Sequence, residues 1–127
     1  MVVIAYVVVI GLLVLAAFQA AIALGAPVGS AAWGGRYPGV LPRNLRIASA
    51  VSVFIYLFAA LIVLDRAGVP LVDLPDAISY WGTWILVVLL AIGAVMNAAS
   101  SSRYERFGWA PFAAVMAVLT FLVASAP

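Results

Sequence analysis

The charged residues of this chain, six basic and four acidic, all lie outside four long apolar stretches. These stretches are 2–24, 47–64, 78–96 and 109–126, and they contain 23, 18, 19 and 18 residues. A hydrocarbon core of about 30 Å needs about 20 helical residues. Strands of a membrane barrel would alternate in polarity, whereas these stretches are continuously apolar. The pattern predicts an all-α polytopic membrane protein, a bundle of four transmembrane helices.

Almost the whole chain is expected to belong to this bundle, because 69% of its 127 residues are hydrophobic and 8% are charged. We predict a single membrane domain over 1–127. Its helices are expected at about 2–24, 47–67, 77–97 and 109–126, separated first by an apolar Gly- and Pro-rich loop, 25–46. Asn44 and Asp76 are expected to cap the second and third helices. The first helix lacks a basic lead segment, so we expect it to be retained rather than cleaved.

Arginine is distributed unevenly between the predicted loops. Loops 25–46 and 98–108 contain five arginines, whereas the loop after the second helix has Arg66 beside three aspartates. Basic residues in short loops stay in the cytoplasm during insertion. We therefore predict a protein of the bacterial cytoplasmic membrane with both termini outside and loops 25–46 and 98–108 cytoplasmic. The arginines that set this orientation also explain the pI near 9.4, so no nucleic-acid partner is expected.

The side chains that usually carry membrane-protein chemistry are missing. The chain has no Cys, His or Lys, which excludes thiol relays, protein-held iron–sulfur clusters, the usual haem and zinc ligands, and a retinal Schiff base. No carboxylate or arginine lies within a predicted span, which disfavours proton-coupled transport and voltage sensing. We expect no cofactor, no metal and no catalytic residue, and the protein is not expected to be an enzyme.

A small set of uncharged polar side chains lies near the predicted cytoplasmic ends of the helices. Ser49, Ser52 and Tyr56 are spaced by three and four residues and share one helix face. With side chains from the neighbouring helices and the first loop they form a candidate pocket of Gln19, Trp33, Ser49, Ser52, Tyr56 and Asn97. Two interpretations are open: these groups hold the helices together by bonding one another and the loop backbone, or they line a pocket for an amphipathic ligand.

Arginines flank this candidate pocket in the sequence. The predicted rim consists of Arg43, Arg46, Arg103 and Arg106. Arginine binds phosphate through two parallel hydrogen bonds, and basic residues beside a membrane attract anionic lipids, so a membrane lipid is the expected partner. The polar run 100–106 is interpreted as a solvated turn with an arginine–glutamate pair. A lipid-processing enzyme would have to use Glu105 and is the least favoured reading.

Short motifs are spread along the whole chain. They include Gly25-Ala26-Pro27-x-Gly29, Trp33-Gly34-Gly35 and Arg103-x-Glu105-Arg106-x-x-Trp109-x-Pro111. This combination resembles small four-helix integral membrane proteins of high-GC, actinobacterial-type bacteria. The resemblance implies the four-helix membrane fold over the full length, and it implies no activity and no site residue.

The favoured hypothesis is a non-catalytic binding or accessory protein that holds a lipid or another amphipathic ligand at its cytoplasmic end. The alternative is a passive channel or transporter for a small neutral or hydrophobic solute, formed by a homo-oligomer. The polar face of the second helix gives way to an apolar segment at 58–64, which favours a one-sided pocket. Assembly as a homo-oligomer and association with a larger membrane protein are both left open.

Overall fold

The structure is a computed structural model that describes all 127 residues, and it contains helices and no strands. Its long helices are α1 (Val2–Ala23), α2 (Arg43–Arg66), α3 (Asp76–Ala98) and α4 (Ala110–Ser125). A π-helical turn, Glu105–Trp109, directly precedes α4. Each of the four helices, α4 together with its π turn, is long and apolar enough to cross a bilayer. The predicted all-α four-helix bundle is confirmed.

The helices are arranged as a ring of neighbours. α1 packs most extensively on α2 and α3 on α4, whereas the α2–α3 and α1–α4 contacts are smaller and α2 barely touches α4. We call the end that holds the segments 24–42 and 99–102 the loop end, and the other, with the segment 67–75, the opposite end. Chain direction alternates between the two ends from one helix to the next.

One hydrophobic core joins all four helices. Its members are Ala5, Val8, Leu12, Ala59, Ala60, Val63, Leu86, Leu90, Met116 and Val123. Glycines bring the backbones close together around it. A Cβ at Gly11 would lie 2.3 Å from the Met116 sulfur, and a Cβ at Gly82 would lie 3.0 Å from Ile62 Cδ1. Small residues therefore set the close approach of α1 to α4 and of α3 to α2, as is common in membrane bundles.

Two helix starts differ from the sequence-based boundaries. α2 begins at Arg43 rather than at 47, and helical structure ahead of α4 begins before 109. Hydropathy alone excluded these turns because they carry arginines, but long arginine side chains can leave a helix end towards water. The expected caps are also wrong. Pro42 and Pro75 occupy the N-cap positions of α2 and α3, and neither helix has a side-chain cap bond, because prolines hold the chain extended there.

The segment 24–42 folds against the end of the bundle. It contains two 3-10 turns, Gly29–Ala31 and Trp33–Gly35, and it buries Ala32 and Leu41 beside Ile22 of α1. The Gly29 amide donates to the Gly39 carbonyl at 2.8 Å. A Cβ at Gly29 would fall 1.8 Å from the Tyr37 carbonyl oxygen, so this fold of the loop requires glycine there.

Candidate functional site

Helices α2 and α3 are close at the opposite end and separate towards the loop end. Gly82 packs on Ile62 where they are close. Beyond Leu90, by contrast, α3 has no buried residue, and α2 has none between Ser49 and Ala59. The separation leaves a cavity of about 760 Å³ at the loop end. That volume is within the range of small-molecule binding sites.

The cavity is apolar towards the core and aromatic on the side of α1 and α4. Leu15, Leu90 and Ala113 line it from three helices. Phe18, Trp109 and Phe112 form a continuous aromatic wall, with ring centroids 4.8 Å apart between the first two and 5.6 Å apart between the last two. This wall presents an apolar surface to anything that enters.

Most of the predicted pocket residues line this one cavity. Gln19, Trp33, Ser52, Tyr56 and Asn97 contribute to its walls from α1, the loop, α2 and α3. Four segments distant in sequence thus converge on the same space, as their positions near the helix ends predicted.

Ser49 is the exception among the predicted pocket residues. It does not line the cavity; it is 0% exposed, and its hydroxyl has no hydrogen-bond partner. It shares a helix face with Ser52, but it lies one turn nearer the end of α2, where the chain is completely packed. The helical period correctly predicted that Ser49 shares a face with Ser52, but it could not predict which residues pack against that face.

Ser52, Asn97 and Gln19, three of the polar residues that line the cavity, make no hydrogen bond with one another. The Ser52 hydroxyl donates to the Ala48 carbonyl at 2.9 Å, one turn back on its own helix. The Asn97 amide nitrogen likewise donates to the Gly93 carbonyl at 2.7 Å. The Gln19 side-chain oxygen is buried and has no hydrogen-bond partner. These three groups therefore do not form the interhelical bonds that a purely structural polar cluster would form.

None of the four predicted rim arginines lines the cavity. Arg46 donates from Nε and Nη2 to the Ala23 carbonyl, at 3.3 and 3.1 Å. This carbonyl lies at the C-terminal end of α1, where a cation is favourable. Arg106 donates to the Ser100 carbonyl at 3.2 Å.

The other two predicted rim arginines also lie outside the cavity. The Arg103 guanidinium lies over the Tyr104 ring, 5.5 Å from its centroid, and Arg43 is exposed at the start of α2. The four arginines of the predicted rim therefore lie at the loop end without joining the lining, because sequence position does not fix the direction of a long side chain. The charged residues that do line the cavity are Arg36, from the loop, and Glu105, from the π turn.

Ser102 connects the loop to the start of the fourth helix. Its hydroxyl donates to the Ser30 carbonyl at 2.6 Å and accepts from the Glu105 amide at 3.4 Å. Ser102-x-x-Glu105 has the spacing of a helix capping box, a sequence signal that would have placed the helix start correctly. Glu105 itself accepts from the Ser100 hydroxyl at 2.8 Å, so the expected arginine–glutamate pair is replaced by a serine–glutamate bond.

The cavity opens sideways between α2 and α3. Leu89 and Met96 both line it, yet they are 54% and 67% exposed on the outer surface of the bundle. Arg36 also lines the cavity and is exposed, so the cavity reaches the surface at the loop end as well. The surrounding surface of α2 and α3 is apolar, with Phe54 and Val95 exposed nearby in the same halves of the helices.

These observations define the class of the protein. Four apolar helices indicate a membrane protein, and the bundle contains one large cavity that is apolar at its base and polar at the loop end. No family model matches the chain, and no match is found among the curated proteins or among the solved structures.

Proposed function

We propose that this protein is a non-catalytic binding or accessory protein of the bacterial cytoplasmic membrane that holds a membrane lipid, or another amphipathic ligand. In this proposal the loop end is cytoplasmic and both termini are outside, because five of the six arginines lie at the loop end. The observation that carries the proposal is the sideways opening of a cavity that is apolar at its base and polar at the loop end.

The geometry suits a ligand that arrives through the bilayer. Its apolar part would pass between α2 and α3 and lie against Leu89 and Leu90. Its polar part would meet Gln19 and Asn97 at the loop end. Buried acceptors without partners are costly in an apolar medium, so a headgroup that donates hydrogen bonds to the Gln19 oxygen would be stabilised there.

The alternative of a passive channel or transporter finds less support. The half of the bundle near the opposite end is closed by Leu12, Val63, Thr83 and Thr120, all 0% exposed. The two threonine hydroxyls donate to carbonyls of their own helices, at 2.6 and 2.7 Å, and therefore offer no polar path. A pore would have to form between copies of the chain.

Filling the cavity tests the proposal. Gly93 lines it, and a Cβ built there meets no atom within 4 Å, so Gly93→Leu would occupy the space without disturbing the packing. The matched control is Ala91→Leu, which adds the same side chain to an exposed position of the same helix. The measurement is native mass spectrometry of each variant released gently from its own membrane.

We expect the wild type and Ala91→Leu to retain a defined lipid mass and Gly93→Leu to lose most of it. Equal retention by Gly93→Leu and the control would contradict binding in this cavity. A wild-type protein that is released without any bound mass would contradict the proposal altogether, and its oligomer number would then decide whether a shared pore is to be considered.

The orientation is tested separately with single cysteines, since the chain has none of its own. Ser101→Cys places a thiol at the loop end and Leu71→Cys places one at the opposite end, both at exposed positions. A membrane-impermeant thiol reagent should label Leu71→Cys in whole cells and Ser101→Cys only in inverted vesicles. The reverse pattern would contradict the proposed topology.

A further inference from the structure

The cavity contains one positive and one negative side chain. Arg36 and Glu105 line it from two segments that are far apart in sequence, and the other five arginines lie elsewhere. A site for an anionic lipid would be expected to collect positive charge, which was the basis of the rim predicted from the sequence. The charge that actually lines the cavity is balanced.

We infer that the cavity selects a zwitterionic phospholipid headgroup in which a phosphate carries a primary ammonium, as in ethanolamine phospholipids. The inference rests on the proposed function, because it names the lipid that the proposed site would hold. It is carried by the pairing of Arg36 and Glu105 in one cavity with unused hydrogen-bond acceptors.

The acceptor side of the cavity suits an ammonium group. Glu105 accepts from the Ser100 hydroxyl through Oε1, which leaves its other oxygen available to a ligand. The Gln19 side-chain oxygen is buried without a partner. Asn97 uses its amide nitrogen in the bond to Gly93, so that its oxygen remains an acceptor. A primary ammonium carries three N–H donors and no acceptor, and it therefore complements these three oxygens.

The donor side of the cavity suits a phosphate. Arg36 follows directly on the turn Trp33–Gly35 and is exposed at the mouth of the cavity. Its guanidinium can bind two phosphate oxygens in parallel, and such charge-assisted pairs are about twice as strong as neutral hydrogen bonds. A phosphate beside Arg36 and an ammonium beside Glu105 would place both charges of the headgroup next to their complements.

Two other common headgroup types fit less well. An anionic glycerol headgroup would bring negative charge towards Glu105 and would supply no cation for its carboxylate. A trimethylammonium headgroup has no N–H donor and would leave the Gln19 oxygen unpaired. The aromatic side chains of the wall, Phe18, Trp109 and Phe112, pack against one another instead of surrounding a cation on several sides. The primary ammonium is thus the group that the lining favours.

The first test uses the unmodified protein. The full chain is reconstituted with an equimolar mixture of ethanolamine, choline and glycerol phospholipids that share the same acyl chains, and bound lipid is read by native mass spectrometry. We expect the ethanolamine lipid to be retained about tenfold over each of the others, as one added charged hydrogen bond would give. Retention in proportion to the mixture, or a preference for the choline or the glycerol lipid, would overturn the inference.

Variants then assign the preference to residues. Glu105→Gln removes the charge and keeps an oxygen that Ser100 can still reach, so the start of the fourth helix is preserved. We expect its ethanolamine preference to fall to near parity through the loss of bound ethanolamine lipid. Arg36→Gln should reduce all phospholipids together but leave diacylglycerol, which lacks phosphate, unaffected. The control is Arg103→Gln, an arginine at the same end that lies outside the cavity, and it should behave as the wild type.

The outcomes separate this inference from the proposed function. Lipid that is bound by the wild type and lost from Gly93→Leu, but without any headgroup preference, would overturn the inference and leave the proposed function standing. The source of the headgroup is tested with soluble glycerophosphoethanolamine in large excess. Failure to displace the bound lipid supports a membrane lipid, whereas displacement would overturn the lipid as the source of this chemistry.

Discussion

The two halves of this bundle are built from the same four helices and differ in what surrounds their buried polar side chains. Near the opposite end, Thr83 and Thr120 are fully buried and each donates to its own helix, and the two buried nitrogens without a partner, Arg66 Nε and Trp84 Nε1, belong to residues outside the cavity. Near the loop end, the Gln19 oxygen is buried without a partner, and the Gln19 side chain lines a cavity of about 760 Å³. The difference indicates that the close packing and the cavity are located in different halves.

The membrane environment explains why one half of the bundle must be closely packed. Lipid tails are as apolar as the helix surfaces, so close packing rather than the hydrophobic effect holds such helices together. The closed half supplies that packing through Leu12, Val63 and the glycine contacts at Gly11 and Gly82. The open half lacks such contacts, and it is there that the proposed ligand would find room.

The largest expected effect is on the closed half. Leu12 is 0% exposed within the core, so Leu12→Ala should leave a new void and reduce the free energy of unfolding by about 2–4 kcal/mol. Leu15, one turn further along α1, lines the existing cavity, and Leu15→Ala should cost about 1 kcal/mol because it only enlarges that space. The measurement is the unfolding equilibrium of both variants in the same lipid–detergent micelles. A cost for Leu15→Ala as large as that for Leu12→Ala would contradict the division between the halves.

A smaller effect is expected where the loop is attached to the bundle. Ser102→Ala removes the helix cap on the Glu105 amide and the bond to the Ser30 carbonyl, with an expected loss of about 1–2 kcal/mol. The loop 25–42 should become more sensitive to limited proteolysis. Ser101→Ala is the matched control, because Ser101 is exposed and makes one longer bond, 3.3 Å to the Gly34 carbonyl. Equal proteolysis of the two variants would show that Ser102 does not hold the loop.

The fold could be predicted from the sequence because its strongest determinant is one-dimensional. The separation of charged from apolar residues gave the helices and their number. The same pattern did not predict helix starts such as Arg43, because α2 includes charged residues that lie outside its apolar stretch. Prolines marked those starts better than the expected caps did, since Pro42 and Pro75 occupy the N-cap positions.

The lining of the cavity could be predicted only in part. Residues within helices, such as Gln19 and Asn97, were placed correctly because depth along a helix and helix direction bring them to the same end. The charged residues of the lining were not predicted, because Arg36 and Glu105 reach the cavity through the fold of the loop and of the π turn. Those shapes depend on contacts such as Gly29 with Tyr37, which no periodicity in the sequence indicates.

The smallest expected effect compares two glycines of the same helix. At Gly82, in the closed half, a Cβ would lie 3.0 and 3.1 Å from Ile62 Cδ1 and Cγ2, whereas at Gly93, in the open half, it would meet no atom within 4 Å. Replacing a glycine inside a helix by alanine gains about 0.5–1 kcal/mol when the added methyl group is accommodated. Gly93→Ala should therefore stabilise the protein by about that amount, while Gly82→Ala should cost about 1 kcal/mol because the buried side chain of Ile62 must shift to admit the methyl group.

The sign of each change, read from unfolding equilibria in the same micelles, is the informative result of this pair. Opposite signs would show that α2 and α3 are held together at one end of α3 and separated at the other, which the sideways opening of the cavity requires. If both variants were destabilised, Gly93 would be in contact with a neighbour, and the cavity would be closed to the bilayer in the absence of a ligand. If both were stabilised, the contact of Gly82 with Ile62 would not limit the approach of the helices, and the closed half would lose its defining constraint.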